Sequence, residues 1–175
     1  ITLVYIAYGG TYYFSERIGA EIGIATETIG LAYGISALTG FLGSGLASWC
    51  STRFKRTMPM IAAFVIIGFI SLGVVFSRNQ IQFMTTIILM NGAFMFAISY
   101  VMGTAASLDK LGRIAAVAEG FVILSMSMGT AIFGAVAAKM DYTILAWPAF
   151  ISCCLGAVII IPLARRIKKL EQHST

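Results

Sequence analysis

Few residues in this sequence have the chemistry to bind or react, and most of those lie within long apolar segments. Tyr5, Tyr8 and Tyr12 recur at spacings of three and four, with Gly9, Gly10 and Thr11 between them. Residues so spaced share one helix face, which lines up three phenols at a depth where tyrosine is uncommon. Each hydroxyl needs a partner. A wet cavity supplies one and a neighbouring helix supplies another, and both readings stand at this level. Tyr13, nearer the polar end, reads as an interfacial anchor. Asn91 lies near the middle of another apolar segment, flanked by Thr85, Thr86 and Gly92. Its amide must be met by a facing helix, water or a ligand. It is a candidate for substrate contact or for an interhelical hydrogen bond.

Two acids complete the set. Glu119 is the one acid inside an apolar segment, about two turns from its basic end. An ionised carboxylate at membrane depth is costly and faces a cavity or a partner. It is either a proton carrier or a group held by the helix dipole and nearby basic residues. Glu16 is the second candidate for proton coupling. No histidine or cysteine set has metal-ligand spacing: the single histidine is His173, and Cys50, Cys153 and Cys154 read as small apolar fillers. Gly43-Ser44-Gly45 resembles a nucleophile turn only superficially, because no base is at hand to activate the serine. No enzyme activity, cofactor or metal is expected, and a channel would need a charged ring or filter loop.

The elements that position these residues follow from the gaps between charges. Hydrophobic residues make up 59% of the sequence and charged ones 11%, against about 25% charged in soluble domains; mean hydropathy is +0.91. Charge-free runs span 28–52, 57–77, 79–108, 120–138 and 142–164. About 20 apolar residues cross a hydrocarbon core of roughly 30 Å as a helix. The spacing predicts an all-α integral membrane protein of six transmembrane helices, at about 1–18, 28–51, 57–77, 80–107, 113–139 and 142–165. A basic tail, 166–175, follows. The first segment lacks the basic start and cleavage site of a signal peptide. Beginning without Met, the sequence reads as a processed product or a fragment.

Arg53, Lys55, Arg56, Lys110, Arg113, Arg165, Arg166, Lys168 and Lys169 fall in alternate connections or the tail, leaving Arg17, Arg78 and Lys139 on the other side. The positive-inside rule places the larger group, and both termini, in the cytoplasm. The net charge of +5 thus reports topology and contact with anionic lipid, and nucleic acid is not an expected partner. Small residues recur every fourth position at Ala32, Ser36, Gly40, Ser44 and Ser48, with Gly30, Gly34, Gly43 and Gly45 beside them. Ser127, Ala131 and Ala135, beside Thr130, Gly134 and Ala138, form a second such stripe. Faces of this kind mark packing seams between membrane helices, either static or sliding.

Three connections carry a family resemblance. Ser48-Trp-Cys-Ser-Thr-Arg-Phe-Lys-Arg56 is similar to the Gly-x-x-x-Asp-Arg-x-Gly-Arg loop of the major facilitator superfamily, with Arg53 and Arg56 matching. Ser48, Thr52 and Lys55 replace its Gly, Asp and Gly. Leu108-Asp109-Lys110-Leu111-Gly112-Arg113 looks like the basic turn before that family's eleventh helix, and Gly23 to Gly30 like the outer turn before its eighth, with Thr26 as N-cap. The sequence therefore resembles the C-terminal six-helix half of such a transporter. The resemblance implies secondary transport of a small solute, with Arg53, Arg56, Asp109 and Arg113 at a cytoplasmic gate. It makes the first and fourth helices cavity-lining, with Tyr5, Tyr8, Tyr12 and Asn91 as substrate-binding candidates. It makes the second and fifth face a partner half, and the third and sixth face lipid. The partner is an N-terminal six-helix half or a second copy, and the location a bacterial inner membrane. A structural membrane subunit without transport is the alternative.

Overall fold

Charge-free stretches become helices because, without water, a backbone must satisfy its own hydrogen bonds. The computed structural model describes residues 1–54, 57–108, 111–139 and 141–173, with no side-chain detail at 108 and 163–173. Among these, six helices follow one another: α1 (Thr2–Glu21), α2 (Thr26–Arg53), α3 (Thr57–Val75), α4 (Gln80–Leu108), α5 (Arg113–Ala137) and α6 (Thr143–His173). The last runs on through positions read from the sequence as a tail.

Five of the six, α2 to α6, are long and apolar enough to cross a membrane. The expected sixth span, α1, is not among them. Its twenty residues include four tyrosines, Thr2, Thr11, Ser15, Glu16, Arg17 and Glu21, which dilute its apolar content. Yet α1 is buried along much of its length, from Val4 to Gly19. The protein is an all-helical integral membrane protein with a polar-rich helix at its centre.

Local chemistry fixes the turns. Gly23, at φ +81°, ends α1: its N–H donates to Ala20 O and that of Ile24 to Gly19 O, each at 3.0 Å. That pair of bonds is a Schellman cap, whose left-handed residue favours glycine. The expected N-cap Thr26 is instead the first residue of α2, and Ala25 holds the cap position without a side-chain bond. The chain enters α2 extended at Ala25 (φ −62°, ψ 141°), one residue early for the threonine hydroxyl to cap. A side-chain cap does open α4, where Asn79 Oδ1 accepts from the Gln82 N–H at 2.9 Å.

The most extensive contacts are α2 on α4, α1 on α5 and α3 on α6, followed by α3 on α4 and α1 on α6. These pairings correspond under one exchange. Replacing α1, α2 and α3 by α4, α5 and α6 turns the α1–α5 contact into α4–α2, turns α1–α6 into α4–α3, and leaves α3–α6 unchanged. Glycines mark the equivalent crossings. A methyl on Gly43 of α2 would overlap the carbonyl oxygen of Gly92 on α4, and one on Gly129 of α5 would overlap that of Ile6 on α1. At the third crossing a Cβ on Gly68 would lie 3.1 Å from Cys153 Cβ. Such glycines let membrane helices touch backbone to backbone.

The small stripe of α2 divides. Ala32, Ser36, Gly40, Gly43 and Ala47 are buried inside the bundle, while Gly30, Gly34 and Gly45 meet open space. Ser48 is exposed and Ser44 half-buried. On α5, Ser127, Ala131 and Ala135 are exposed, and the buried face is Val122, Ser125, Gly129 and Phe133. Both α3 and α6 bury one side and turn Ile66, Phe69, Ile151 and Val158 outward.

Candidate functional site

The tyrosines of α1 gather into an aromatic column with α4 and α2. Tyr8 stacks on Phe94 of α4 with centroids 4.1 Å apart and planes at 12°, and on Tyr12 at 5.2 Å. Tyr5 meets Phe94 edge-on at 5.7 Å, and Tyr12 meets Tyr33 of α2 at 5.4 Å. Spacings of three and four keep Tyr5, Tyr8 and Tyr12 on one helix stripe, so a single Phe94 ring contacts two of them. Of the two readings left open by the spacing, neighbouring-helix contact accounts for the rings of Tyr5 and Tyr8, both buried. Tyr12 is half-buried and Tyr13 exposed.

Polar contacts tie the column's end to α2. Ser15 Oγ donates to Tyr12 O at 2.6 Å and shares a 2.6 Å hydrogen bond with Tyr33 Oη. Neither Tyr33 nor Phe94 stood out in the sequence. Phe94 lies one turn beyond Asn91, and Tyr33 is a lone aromatic within the small-residue helix; those positions were the available signals. Tyr5 Oη and Thr11 Oγ1 are buried with no hydrogen-bond partner among the described residues. Each such orphan costs about 1–3 kcal/mol, so the centre of α1 has polar capacity that the chain itself leaves unused.

Asn91 belongs to the neighbouring seam. Its Nδ2 donates to Ser36 O at 2.8 Å, the interhelical bond that was one of its two readings. Thr39 Oγ1 adds a second tie from α2 to α4 through Ile88 O at 2.6 Å. Of the remaining candidates, Glu119 lies within electrostatic reach of Tyr5, and Glu16 within reach of Tyr33. Glu16 lies exposed near the end of α1, and Glu119 is exposed on α5. Arg53 ends α2 with its guanidinium 4.8 Å from the Trp49 ring centroid, and Arg113 opens α5 after Gly112 at φ +74°. Arg56 and Asp109 lie outside the described residues.

Recesses open between the helices. One of about 350 Å³ between α2 and α4 is lined by Ser44, Ser48, Ser51, Ser99 and Tyr100. A second, about 530 Å³, lies against Tyr13, Met126, Ser127 and Thr130. A third and larger one, about 740 Å³, is almost wholly apolar and sits among α2, α3 and α4. The arrangement contains hydroxyls, one amide and aromatic faces, a chemistry suited to noncovalent recognition. No protein-family model, curated protein or solved structure matches the chain.

Proposed function

We propose that this protein is one six-helix half of a secondary transporter, moving a small solute by alternating access. The observation that carries the proposal is the exchange symmetry of its contacts, with equivalent crossings roughly 85 residues apart along the sequence, as nested three-helix repeats in major facilitator halves require. Three is an odd number. If every helix spans, α1 included as the sixth, the second unit therefore enters the membrane from the side opposite to the first. The resemblance of the two cytoplasmic connections supports the same reading, as do the exposed small faces of α2 and α5, which offer a surface to a partner half.

On this reading the solute binds where the aromatic column and Asn91 meet the partner half, near the midplane of a bacterial inner membrane. Tyr12, Tyr13 and the unused hydroxyls suit a neutral or cationic solute with ring or hydroxyl character. Glu119 and Glu16 are the acids available for proton coupling, and the termini are cytoplasmic. Proteoliposomes holding this chain with its partner half test the proposal: a panel of neutral and cationic solutes should accumulate when a proton gradient is imposed. Uptake no greater than in empty vesicles across the panel would favour a structural subunit. Glu119→Gln should abolish the pH dependence of uptake; an unchanged profile removes Glu119 as the proton carrier.

A further inference from the structure

The 740 Å³ recess among α2, α3 and α4 has a feature that ordinary lipid-facing surface lacks. Its floor is made of small residues, Gly43, Ala63, Gly92 and Ala93, and its walls of bulky ones such as Leu46 and Ile66. The wall residues are exposed, whereas Ala63 and Gly43 are buried. The result is a trough deep enough to hold a chain below the helix surface. Along α2 it runs from Thr39 to Phe54, about 22 Å at 1.5 Å per residue. One leaflet's hydrocarbon is roughly 15 Å thick, so the trough accommodates an extended acyl tail.

Charge selects what lies at its mouth. The trough ends at Phe54 and Met58, immediately after Arg53, and the sequence there reads Arg53-Phe54-Lys55-Arg56 with no acid between Glu27 and Asp109. Arg53 is exposed and rests over the Trp49 ring, a posture that keeps a guanidinium at the interface. The trough itself holds no charged residue. We infer that this trough is a binding site for an anionic phospholipid, one acyl tail lying on the small-residue floor and the phosphate headgroup meeting Arg53. The inference does not depend on the transport reading.

Native mass spectrometry of the full chain, delipidated in detergent and titrated with phosphatidylglycerol or phosphatidylcholine, tests it. Phosphatidylglycerol should be retained about fivefold more strongly for each basic residue engaged. Filling the trough at its exposed wall with Ala62→Phe should lower retention of both lipids, and Arg53→Gln should lower that of phosphatidylglycerol alone. Equal retention of the two lipids, or no effect of Ala62→Phe, overturns the inference. So does a dimer that Ala62→Phe dissolves, since a second copy would then be the occupant. A readout that does not rely on the filled variant uses the two tryptophans. In Trp147→Phe protein, tail-brominated phosphatidylglycerol should quench Trp49 more than equally brominated phosphatidylcholine; equal quenching overturns the site.

Discussion

The α1–α5 and α2–α4 crossings share one kind of backbone contact but are held differently. At both, a glycine on one helix meets a carbonyl oxygen on the other. Between α2 and α4 the contact is reinforced by hydrogen bonds from Asn91 to Ser36 O and from Thr39 to Ile88 O. Between α1 and α5 no side-chain hydrogen bond crosses among the described residues, and contact is by shape: Phe133 lies against Gly10, and the backbone of Met126 against Gly9. One crossing is fastened by specific polar groups and the other by shape. Hydrogen bonds between membrane helices contribute about 0.6–2 kcal/mol, and close packing carries the rest. Backbone contact is therefore the common requirement, and polar ties add a fixed register on one side only.

The comparison breaks most visibly at the glycines. Gly43→Ala and Gly129→Ala each place a methyl into a carbonyl oxygen, and the helices must separate to admit it. Overpacking of this kind costs about 1–3 kcal/mol. Both variants should melt at lower temperature in detergent, by thermal-shift assay with size-exclusion control. Gly43→Ala should lose more, because parting α2 from α4 also stretches the Asn91 and Thr39 bonds. Equal losses would mean that the polar ties carry no weight.

A smaller effect isolates those ties. Asn91→Leu keeps much of the volume and deletes the bond to Ser36, so a loss of about 1 kcal/mol is expected. The one Thr39 hydroxyl proton is shared between Ile88 O and Ser36 O, and Asn91 Nδ2 donates to the same Ser36 O at 2.8 Å, so the losses from Asn91→Leu and Thr39→Val should not add. Additivity in the double variant would show that the two donors act separately. The α1–α5 crossing offers a control: Met126→Leu, with no interhelical hydrogen bond to lose, should change stability by less than about 1.5 kcal/mol.

How far the sequence reveals this arrangement depends on periodicity. The α2 stripe at Ala32, Ser36 and Gly40 was legible as a packing face and is buried. Its continuation to Ser44 and Ser48 turns outward, half-buried and exposed, because a strict four-residue step advances about 40° around a helix of 3.6 residues per turn. After several steps the stripe leaves the contact, and Gly43 and Ala47 take it over. The five apolar spans were legible from charge gaps alone. The sixth was harder, since α1 is buried by protein rather than suited by composition to lipid. The tyrosine stripe gave the right face of α1 but not its neighbour: Phe94 and Tyr33 come from helices whose packing no local spacing encodes.

The smallest expected effect separates the two sides of α2. Gly30 and Gly34 lie on the same helix as Gly43, yet a methyl on either meets nothing within 4 Å. Close packing within this chain gives no reason for glycine there. In a helix interior, alanine is favoured over glycine by about 1 kcal/mol. Gly34→Ala should therefore leave the melting temperature of the isolated chain unchanged or raise it slightly, the opposite of Gly43→Ala. If the outer face of α2 docks a partner half through backbone contact, the same substitution should weaken that association. Co-purification of the two halves from one membrane, wild type against Gly34→Ala, measures this. A stabilised chain with impaired association places a second seam on α2. A stabilised chain with intact association assigns Gly30 and Gly34 to lipid and moves the partner surface to α5, where Ser127 and Ala131 lie exposed.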